Sequence, residues 1–219
     1  MSSIAVTTHN IGPGKPGRAG VKENVQAVID HEKHPPIVIL EEAAEFQGTL
    51  KGYGRIAEDE GHPENANTLI LVRHDVHILR TPFIHVGGPN WHGPKHGKTH
   101  PPKVHPGIVV NYDDHLWAIL GVHRMSGKNP PSVEEREWRC FEEWVKARDP
   151  KRSVIMEGDW NSTRSSARLR KLARDFDLQI SLRSIDGALH RNCELKAFKE
   201  LKGLYGSDAH EPCTLTFEA

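Results

Sequence analysis

The sequence predicts a layered α/β domain in which two β-sheets lie between outer helices, and three observations support this fold. Short apolar runs alternate with a few amphipathic segments along the chain, without an internal repeat. Several of these runs form pairs joined by short polar turns, as antiparallel strands do. The length of 219 residues suits one sizeable core, so we expect a single domain over residues 1–219.

Helical periodicity predicts three helices on the outside of these sheets. Apolar residues recur at helical spacing from Val21 to Glu32, and a Pro-Pro pair ends that segment. A second helix is predicted to begin at Ser132, because Ser132-Val133-Glu134-Glu135 has the pattern of a capping box. The third is the arginine-rich stretch from Arg164 to Arg174. The second helix should turn four apolar residues inward: Trp138, Phe141, Trp144 and Val145.

Apolar runs bounded by polar residues predict the strands. Two pairs of runs have the form of β-hairpins: 68–72 with 76–79, and 107–112 with 116–122. Residues 86–106, rich in Gly, Pro, His and Lys, are predicted to form a long loop of functional interest. The remaining predicted strands are 4–8, 37–40, 153–156, 178–182, 185–189 and 213–217.

The charges of the chain balance, with 29 Lys and Arg against 29 Asp and Glu. No global field therefore favours nucleic acid or a membrane, and any basic surface must be local. The absence of a long apolar stretch excludes a membrane-spanning helix. Three cysteines without metal-type spacing do not suggest paired disulfides. We therefore expect a cytoplasmic protein that makes no membrane contact and is a monomer by default.

Polar clusters accompany the predicted strands at their ends. Each one taken singly is typical of a turn or of the surface. Together, carboxylates at strand ends can converge on one edge of a sandwich, where their oxygens suit Mg²⁺ and histidines can move protons near neutral pH. This set predicts metal-assisted hydrolysis of a phosphate ester. The clusters are Thr8-His9-Asn10, Glu41-Glu42, His123, Gly158-Asp159-Trp160-Asn161 and Ser207-Asp208-Ala209-His210, with Asp186 at a strand start.

The order of these clusters resembles the endonuclease/exonuclease/phosphatase superfamily, the fold of deoxyribonuclease I. The matching motifs are a strand ending in Asn, a Leu-Gln-Glu-like strand end, a Gly-Asp-aromatic-Asn turn and a C-terminal Ser-Asp-His-like segment. The match extends from Thr8 to Pro212. The resemblance implies a four-layer α/β/β/α sandwich with two central mixed, mostly antiparallel sheets. It also implies a phosphoesterase that depends on Mg²⁺ or Mn²⁺.

The resemblance also implies a role for each matching residue. Glu42, Asn10 and Asp208 would hold the metal. Asp159 would orient or deprotonate the attacking water, and Asn161 would donate to a phosphoryl oxygen. His123 and His210 would contact the scissile phosphate, and Asp186 would support the site beside His123. Ala209 separates Asp208 from His210, where the family has the two adjacent, so a local bulge is needed to turn both side chains to one face.

The leading hypothesis for the substrate is DNA or RNA, because two segments are locally basic. Residues 76–112 contain no Asp or Glu, and the predicted third helix is rich in arginine, although that pattern also fits a solvated helix face. The alternatives are a phosphatase or a lipid or inositol phosphodiesterase of the same fold, and a non-catalytic phosphate-binding module. The residues predicted to contact the substrate are Arg124, Arg164, Lys95 and Lys98.

The histidine-rich stretch allows a different interpretation. His92, His96, His100 and His105 have a spacing close to that of zinc ligands on a helix. The Gly and Pro residues between them argue against a helix there, so a polar irregular loop is the simpler interpretation.

Overall fold

The structure, a computed structural model, describes residues 1–11, 21–43, 46, 49–56, 68–81, 83–86, 91–92, 99–100, 103–124, 131–203 and 211–219. Its helices are α1 (Val21–His31), α2 (Pro131–Lys146) and α3 (Ala167–Asp175). The strands of the first half are β1 (Ser3–Asn10), β2 (Ile37–Glu41), β3 (Tyr53–Ile56), β4 (Thr68–Arg73), β5 (His77–Arg80), β6 (Phe83–Val86), β7 (Trp91–His92) and β8 (Thr99–His100). Those of the second half are β9 (Lys103–Tyr112), β10 (His115–His123), β11 (Ser153–Asp159), β12 (Gln179–Arg183), β13 (Asp186–Arg191), β14 (Glu194–Glu200) and β15 (Cys213–Glu218).

Apart from β7 and β8, which pair only with each other, these strands form two large mixed sheets. The first has the order β14-β15-β1-β2-β4-β3, and the second has the order β12-β13-β11-β10-β9-β5, with β6 paired to the start of β9. Within each sheet one pair is parallel, β1 with β2 and β10 with β11, and the other pairs are antiparallel.

Alternation of side chains along the strands builds a core on each face of the sheets. The core between the sheets is aliphatic and aromatic, with Val6, Ile39, Trp117, Ile155 and Phe217 among its members. Helix α1 covers the outer face of the first sheet, and α2 and α3 cover that of the second. The four inward residues predicted for α2 are all buried. The predicted α/β/β/α sandwich with two mixed, mostly antiparallel sheets is confirmed.

The hairpin predicted between 107 and 122 is confirmed. Tyr112 pairs with His115, and Asp113 and Asp114 between them both have positive φ, at 54° and 56°. This is the backbone conformation of the tight turns that match strand twist, and Asp tolerates it.

The hairpin predicted for 68–79 is wrong, because β4 and β5 belong to different sheets. Strand β4 is buried along most of its length and pairs with β2 and β3, whereas β5 is a largely exposed edge strand on β9. Arg73, at the end of β4, joins this turn to the second sheet. It donates to Asp75 in the turn at 2.6 Å and to the hydroxyl of Tyr112 on β9 at 2.9 Å. Adjacent apolar runs therefore lead from one sheet to the other here.

Local signals also misplaced three other features. Helix α2 begins at Pro131, a residue suited to the first helical position, so Ser132 lies inside the first turn rather than capping it. The stretch predicted as a loop over 86–106 contains β7, β8 and the start of β9. Strands β3, β6 and β14 were not predicted, and β14 is too polar and exposed to stand out as an apolar run.

Strand direction brings the predicted site residues to one end of the sandwich. Parallel pairing aligns the end of β1 with that of β2, and the end of β10 with that of β11. Gly158, on β11 just before these strand ends, has φ 145°. A Cβ there would lie 1.8 Å from the Val122 carbonyl oxygen and 2.8 Å from Glu41 Oε1, so only glycine fits.

We expect Gly158→Ala to destabilise the protein by about 3 kcal/mol or more, because the backbone of β10 would have to move away. Gly54→Ala is the control, since a Cβ at Gly54 meets neighbours only at 3.8 Å and beyond. Chemical denaturation of both variants measures the difference. Equal stability of the two variants would contradict the tight approach at Gly158.

Candidate active site

Predicted site residues lie on adjoining strands at one end of the molecule. Asn10 ends β1 opposite Glu41 of β2, and His123 ends β10 opposite Asp159 of β11. On the other side of β11, Asp159 pairs with Asp186, which begins β13 as predicted. The structure therefore brings these strand ends together, and all of these residues except Asp186 are buried.

Two hydrogen bonds cross between the sheets and hold the strand ends at fixed spacing. The Asp159 backbone N–H donates to Glu41 Oε1 at 2.8 Å. One step deeper, the Thr8 hydroxyl donates to Glu157 Oε1 at 2.8 Å. Each bond joins a strand of the first sheet to β11 of the second. The backbone of Asp159 is thus positioned by both sheets.

Glu42 follows β2 directly and has φ 54°, an uncommon conformation for a residue that is not glycine. Strain of this kind, about 1 kcal/mol or more, persists where surrounding contacts impose it and is frequent at functional sites. One carboxylate oxygen, Oε1, lies 3.8 Å from His123 Nε2. The other, Oε2, is buried and has no hydrogen-bond partner.

An unpartnered buried carboxylate oxygen fits a role as a metal ligand, since its desolvation is otherwise uncompensated. Asn10 contributes an amide oxygen to the same end of the sandwich, and both are hard donors of the kind that Mg²⁺ and Mn²⁺ take. Asp208, the third predicted ligand, lies outside the described residues. Within the described ranges, no group of three His, Cys, Asp or Glu side chains could hold a metal. The zinc alternative stays a prediction, because His96 and the side chains of His92 and His100 lie outside the described residues.

The turn after β11 is shaped by the side chains of Asp159 and Asn161. The Asn161 backbone N–H donates to Asp159 Oδ1 at 2.6 Å, and its side-chain amide donates to Asp159 Oδ2 at 3.1 Å and to the Arg124 carbonyl at 2.7 Å. These bonds engage both amide hydrogens of Asn161. They favour a role in orienting the Asp159 carboxylate over the predicted donation to a phosphoryl oxygen.

Trp160 fixes the same turn from the outer side of the sheet. Its ring is fully buried and packs on Trp138 and Phe141, with centroids 6.4 Å and 5.5 Å away. The indole N–H donates to the Gly187 carbonyl at 3.3 Å, and the backbone N–H donates to the Ile185 carbonyl at 2.9 Å. The aromatic residue of the motif is therefore a packing residue.

Arg124, which the sequence predicts to contact the substrate, is held by contacts inside the protein. Its guanidinium is buried, bonds Glu137 at 3.0 Å and donates to Ser162 Oγ at 3.0 Å. It also lies over the Trp138 ring at 5.0 Å. These contacts do not favour the predicted binding of substrate phosphate. The sequence could not show this, because Glu137 and Trp138 approach Arg124 only in the fold.

The structure gives little information on the remaining predicted residues. Arg164 is exposed in the turn before α3. In α3 itself, Arg168 pairs with Glu135, and Lys171 pairs with Glu142 and Asp175, as on a solvated helix face. The remaining predicted residues, Lys95, Lys98 and His210, lie outside the described residues.

Three buried polar residues near the site were not predicted as part of it: His105, Glu137 and Glu157. Two of them carried a signal in the sequence. Glu137 shares the apolar face of α2 with Phe141, one helical turn away, and Glu157 shares the inward face of β11 with Ile155. A carboxylate on a face that is otherwise apolar marks a buried polar contact.

Burial raises the pKa of the Glu157 carboxyl well above its ordinary value of 4.5, and the bond from Thr8 only partly opposes this. The folded state thus keeps a proton that the unfolded chain releases above about pH 4.5. The contribution of Glu157 to stability is complete below that pH. It is lost as the pH rises towards the folded pKa, by up to about 1.4 kcal/mol per pH unit.

We therefore expect Glu157→Gln to flatten the dependence of stability on pH between about pH 5 and pH 8. The glutamine oxygen can still accept the hydrogen bond from Thr8. Denaturant titrations at several pH values measure the slope, with Glu143→Gln on the exposed side of α2 as the control. Parallel profiles for wild type and Glu157→Gln would show that the buried carboxyl is not protonated in the fold.

Among the helices of the described ranges, none is long and apolar enough to cross a membrane.

No protein-family model and no curated relative matches the sequence. Solved structures do share its fold. An endonuclease/exonuclease/phosphatase from Bacteroides vulgatus aligns with a TM-score of 0.73 at 13% identity, over 100% of this chain and 99% of that one. D. rerio TDP2, in a complex with a single-strand DNA product, aligns at 0.67 and 13%, over 100% of both chains. A mannosyl-6-phosphatase from Bacteroides thetaiotaomicron aligns at 0.70 and 13%, over 99% of this chain and 100% of that one. The chain therefore has the endonuclease/exonuclease/phosphatase fold that the sequence predicts.

Proposed function

We propose that the protein is a divalent-metal-dependent phosphodiester hydrolase that cuts DNA or RNA. The observation that carries this proposal is the convergence of Asn10, Glu42, His123 and Asp159 at one end of the sandwich, with Glu42 Oε2 buried and without a partner. These side chains include oxygen ligands, a carboxylate base and an imidazole. Hydrolysis of a phosphate ester needs each of these groups.

Glu42 and Asn10 would hold Mg²⁺ or Mn²⁺, with Asp208 as the third ligand named by the family resemblance. When bound, the ion neutralises charge on the phosphate as it is attacked. His123 lies beside Glu42, and its imidazole would donate to a phosphoryl oxygen bound there.

Asp159 would orient the attacking water and accept its proton. Its two carboxylate oxygens are fixed by Asn161, and its backbone N–H by Glu41, so the carboxylate has a defined direction. The water oxygen forms the new bond to phosphorus, and the ester P–O bond opposite breaks. The departing oxygen takes up a proton from solvent, which balances the one accepted by Asp159.

Nucleic acid is the proposed substrate because one span of the sequence is basic and free of acidic residues. The span 76–112 carries Arg80, Lys95, Lys98 and Lys103 and contains no Asp or Glu. Phosphate backbones are bound chiefly through such side chains. The single-strand DNA product held by TDP2 is consistent with a polynucleotide in this fold.

The test is an activity panel at low salt with Mg²⁺ or Mn²⁺ and with EDTA. The substrates are supercoiled plasmid, single-stranded DNA and RNA oligonucleotides, an abasic duplex, inositol phosphates and mononucleotides. We expect nucleic-acid cleavage that requires metal and falls at least about 100-fold in Glu42→Ala, because a metal ligand is removed. Glu143→Ala, on the exposed side of α2, should cleave as the wild type does.

Each other result points to a different function. Phosphate release from small esters with the plasmid intact would indicate a phosphatase. Binding of nucleic acid with no metal-dependent cleavage would indicate a non-catalytic module. Cleavage that persists unchanged in Glu42→Ala would come from a contaminant or from another site, and would contradict the proposal.

A further inference from the structure

Behind the proposed site lies a buried network of three charged or titratable side chains: Arg124, Glu137 and His105. Glu137, on α2, is completely buried and occupies the centre. Its Oε2 accepts from Arg124 Nε at 3.0 Å, and its Oε1 lies 3.7 Å from His105 Nε2. Neither the motifs nor the proposed reaction uses these residues as ligand, base or phosphate donor.

The Arg124 end of the network holds the turn that carries Asp159. Arg124 Nη1 donates to the carbonyl oxygens of Trp160 at 3.4 Å and Asn161 at 3.3 Å, and to Ser162 Oγ at 3.0 Å. The backbone of Arg124 contributes two more bonds, donating to the Asp159 carbonyl at 2.8 Å and accepting from the Asn161 amide at 2.7 Å. A planar guanidinium can bind several oxygens at fixed angles in a way that a lysine cannot.

The His105 end of the network holds the strand end that carries His123. The His123 backbone N–H donates to His105 Nδ1 at 3.3 Å, which requires that this nitrogen be unprotonated. The ring proton is then on Nε2, which faces Glu137. The His105 ring also packs on Phe141, with centroids 5.0 Å apart. The Glu137 carboxylate is therefore linked to both strand ends, through Arg124 to the turn after Asp159 and through His105 to His123.

Burial of α2 does not need these charges. Trp138, Phe141, Trp144 and Val145 already pack this helix against the second sheet. Burying a carboxylate and a guanidinium costs several kcal/mol in desolvation, which their attraction does little more than offset, so an apolar pair would hold the helix as well. Unlike an apolar pair, the charged pair makes directional bonds, to the carbonyl oxygens of Trp160 and Asn161 and to the Ser162 hydroxyl.

We propose that Arg124 and Glu137 are positioning residues for the reaction, acting through the 160–162 turn on the Asp159 carboxylate. This inference rests on the proposed function, in which Asp159 orients the attacking water. Misplacement of a catalytic group by about 1 Å costs roughly 100-fold in rate. Helix α2 carries no catalytic side chain, but through Glu137 and Arg124 it fixes the geometry of the turn that carries Asp159.

The test compares Arg124→Lys and Glu137→Gln with Arg73→Lys as the matched control. Arg73 forms a similar fork, bonding Asp75 and Tyr112, but it lies at the opposite end of β4 from the site. With bis-p-nitrophenyl phosphate and Mn²⁺, we expect kcat to fall about 100-fold in both network variants, with KM changing less than roughly threefold. Arg73→Lys should retain the wild-type kcat. A change confined to KM would show instead that Arg124 binds the phosphate.

Two further measurements separate positioning from folding. Hydrogen exchange of the 159–162 backbone amides should accelerate at least about tenfold in Arg124→Lys, with amides in the rest of β11 unchanged. Guanidinium ion at low, non-denaturing concentration should restore activity to Arg124→Ala by about tenfold, and should not do so for Arg73→Ala. Exchange that accelerates throughout the domain, or loss of folding in every network variant, would overturn the proposal.

The amide exchange result also separates this inference from the proposed function. A wild-type protein that is inactive on every phosphodiester, yet shows local acceleration at 159–162 in Arg124→Lys, would refute the reaction and keep the structural role of the network. An active wild type with unchanged exchange and unchanged kcat in both network variants would refute the positioning role alone.

Discussion

A hydrogen bond between the two sheets, from the Asp159 backbone N–H to Glu41 Oε1 at 2.8 Å, is the contact on which the site depends. It forms only because Gly158 has no side chain to separate β11 from β10 and from Glu41. The bond brings the end of β2 against the end of β11, and so places Glu42 and Asp159 at the same end of the sandwich. The proposed reaction needs this proximity, because both carboxylates would have to act on one phosphate.

Burying polar groups between the sheets is unfavourable unless they are hydrogen-bonded. Thr8 and Glu157 form a bonded polar pair next to the site, and farther along the same core His190 packs on Phe217 and bonds Ser181. Burial raises the pKa of Glu157 well above its ordinary value, which favours the neutral carboxyl beside the proposed site. The extensive apolar core and the backbone pairing of both sheets stabilise a site that contains strain at Glu42 and buried charge at Glu137.

Much of the fold and part of the site could be predicted because strand ends are visible as changes from apolar to polar residues. Asn10, Glu42, His123 and Asp159 were found in this way, and the structure places them together. The pairing of β4 with β2 rather than with β5 depends on long-range burial, which a local pattern does not contain. The buried position of Arg124 was missed for a similar reason, since Glu137 meets it only after α2 has packed on the sheet.

The central claim is that Glu42 and Asn10 form a metal site at the converged strand ends. Anomalous diffraction from crystals soaked in Mn²⁺ tests it most directly, because the position of the ion is observed independently of any substrate. We predict a peak about 2.0–2.3 Å from Glu42 Oε2 and within reach of the Asn10 amide oxygen, lost in Glu42→Ala crystals. Ordered Mn²⁺ found only elsewhere, such as among the histidines of residues 86–106, would contradict the claim.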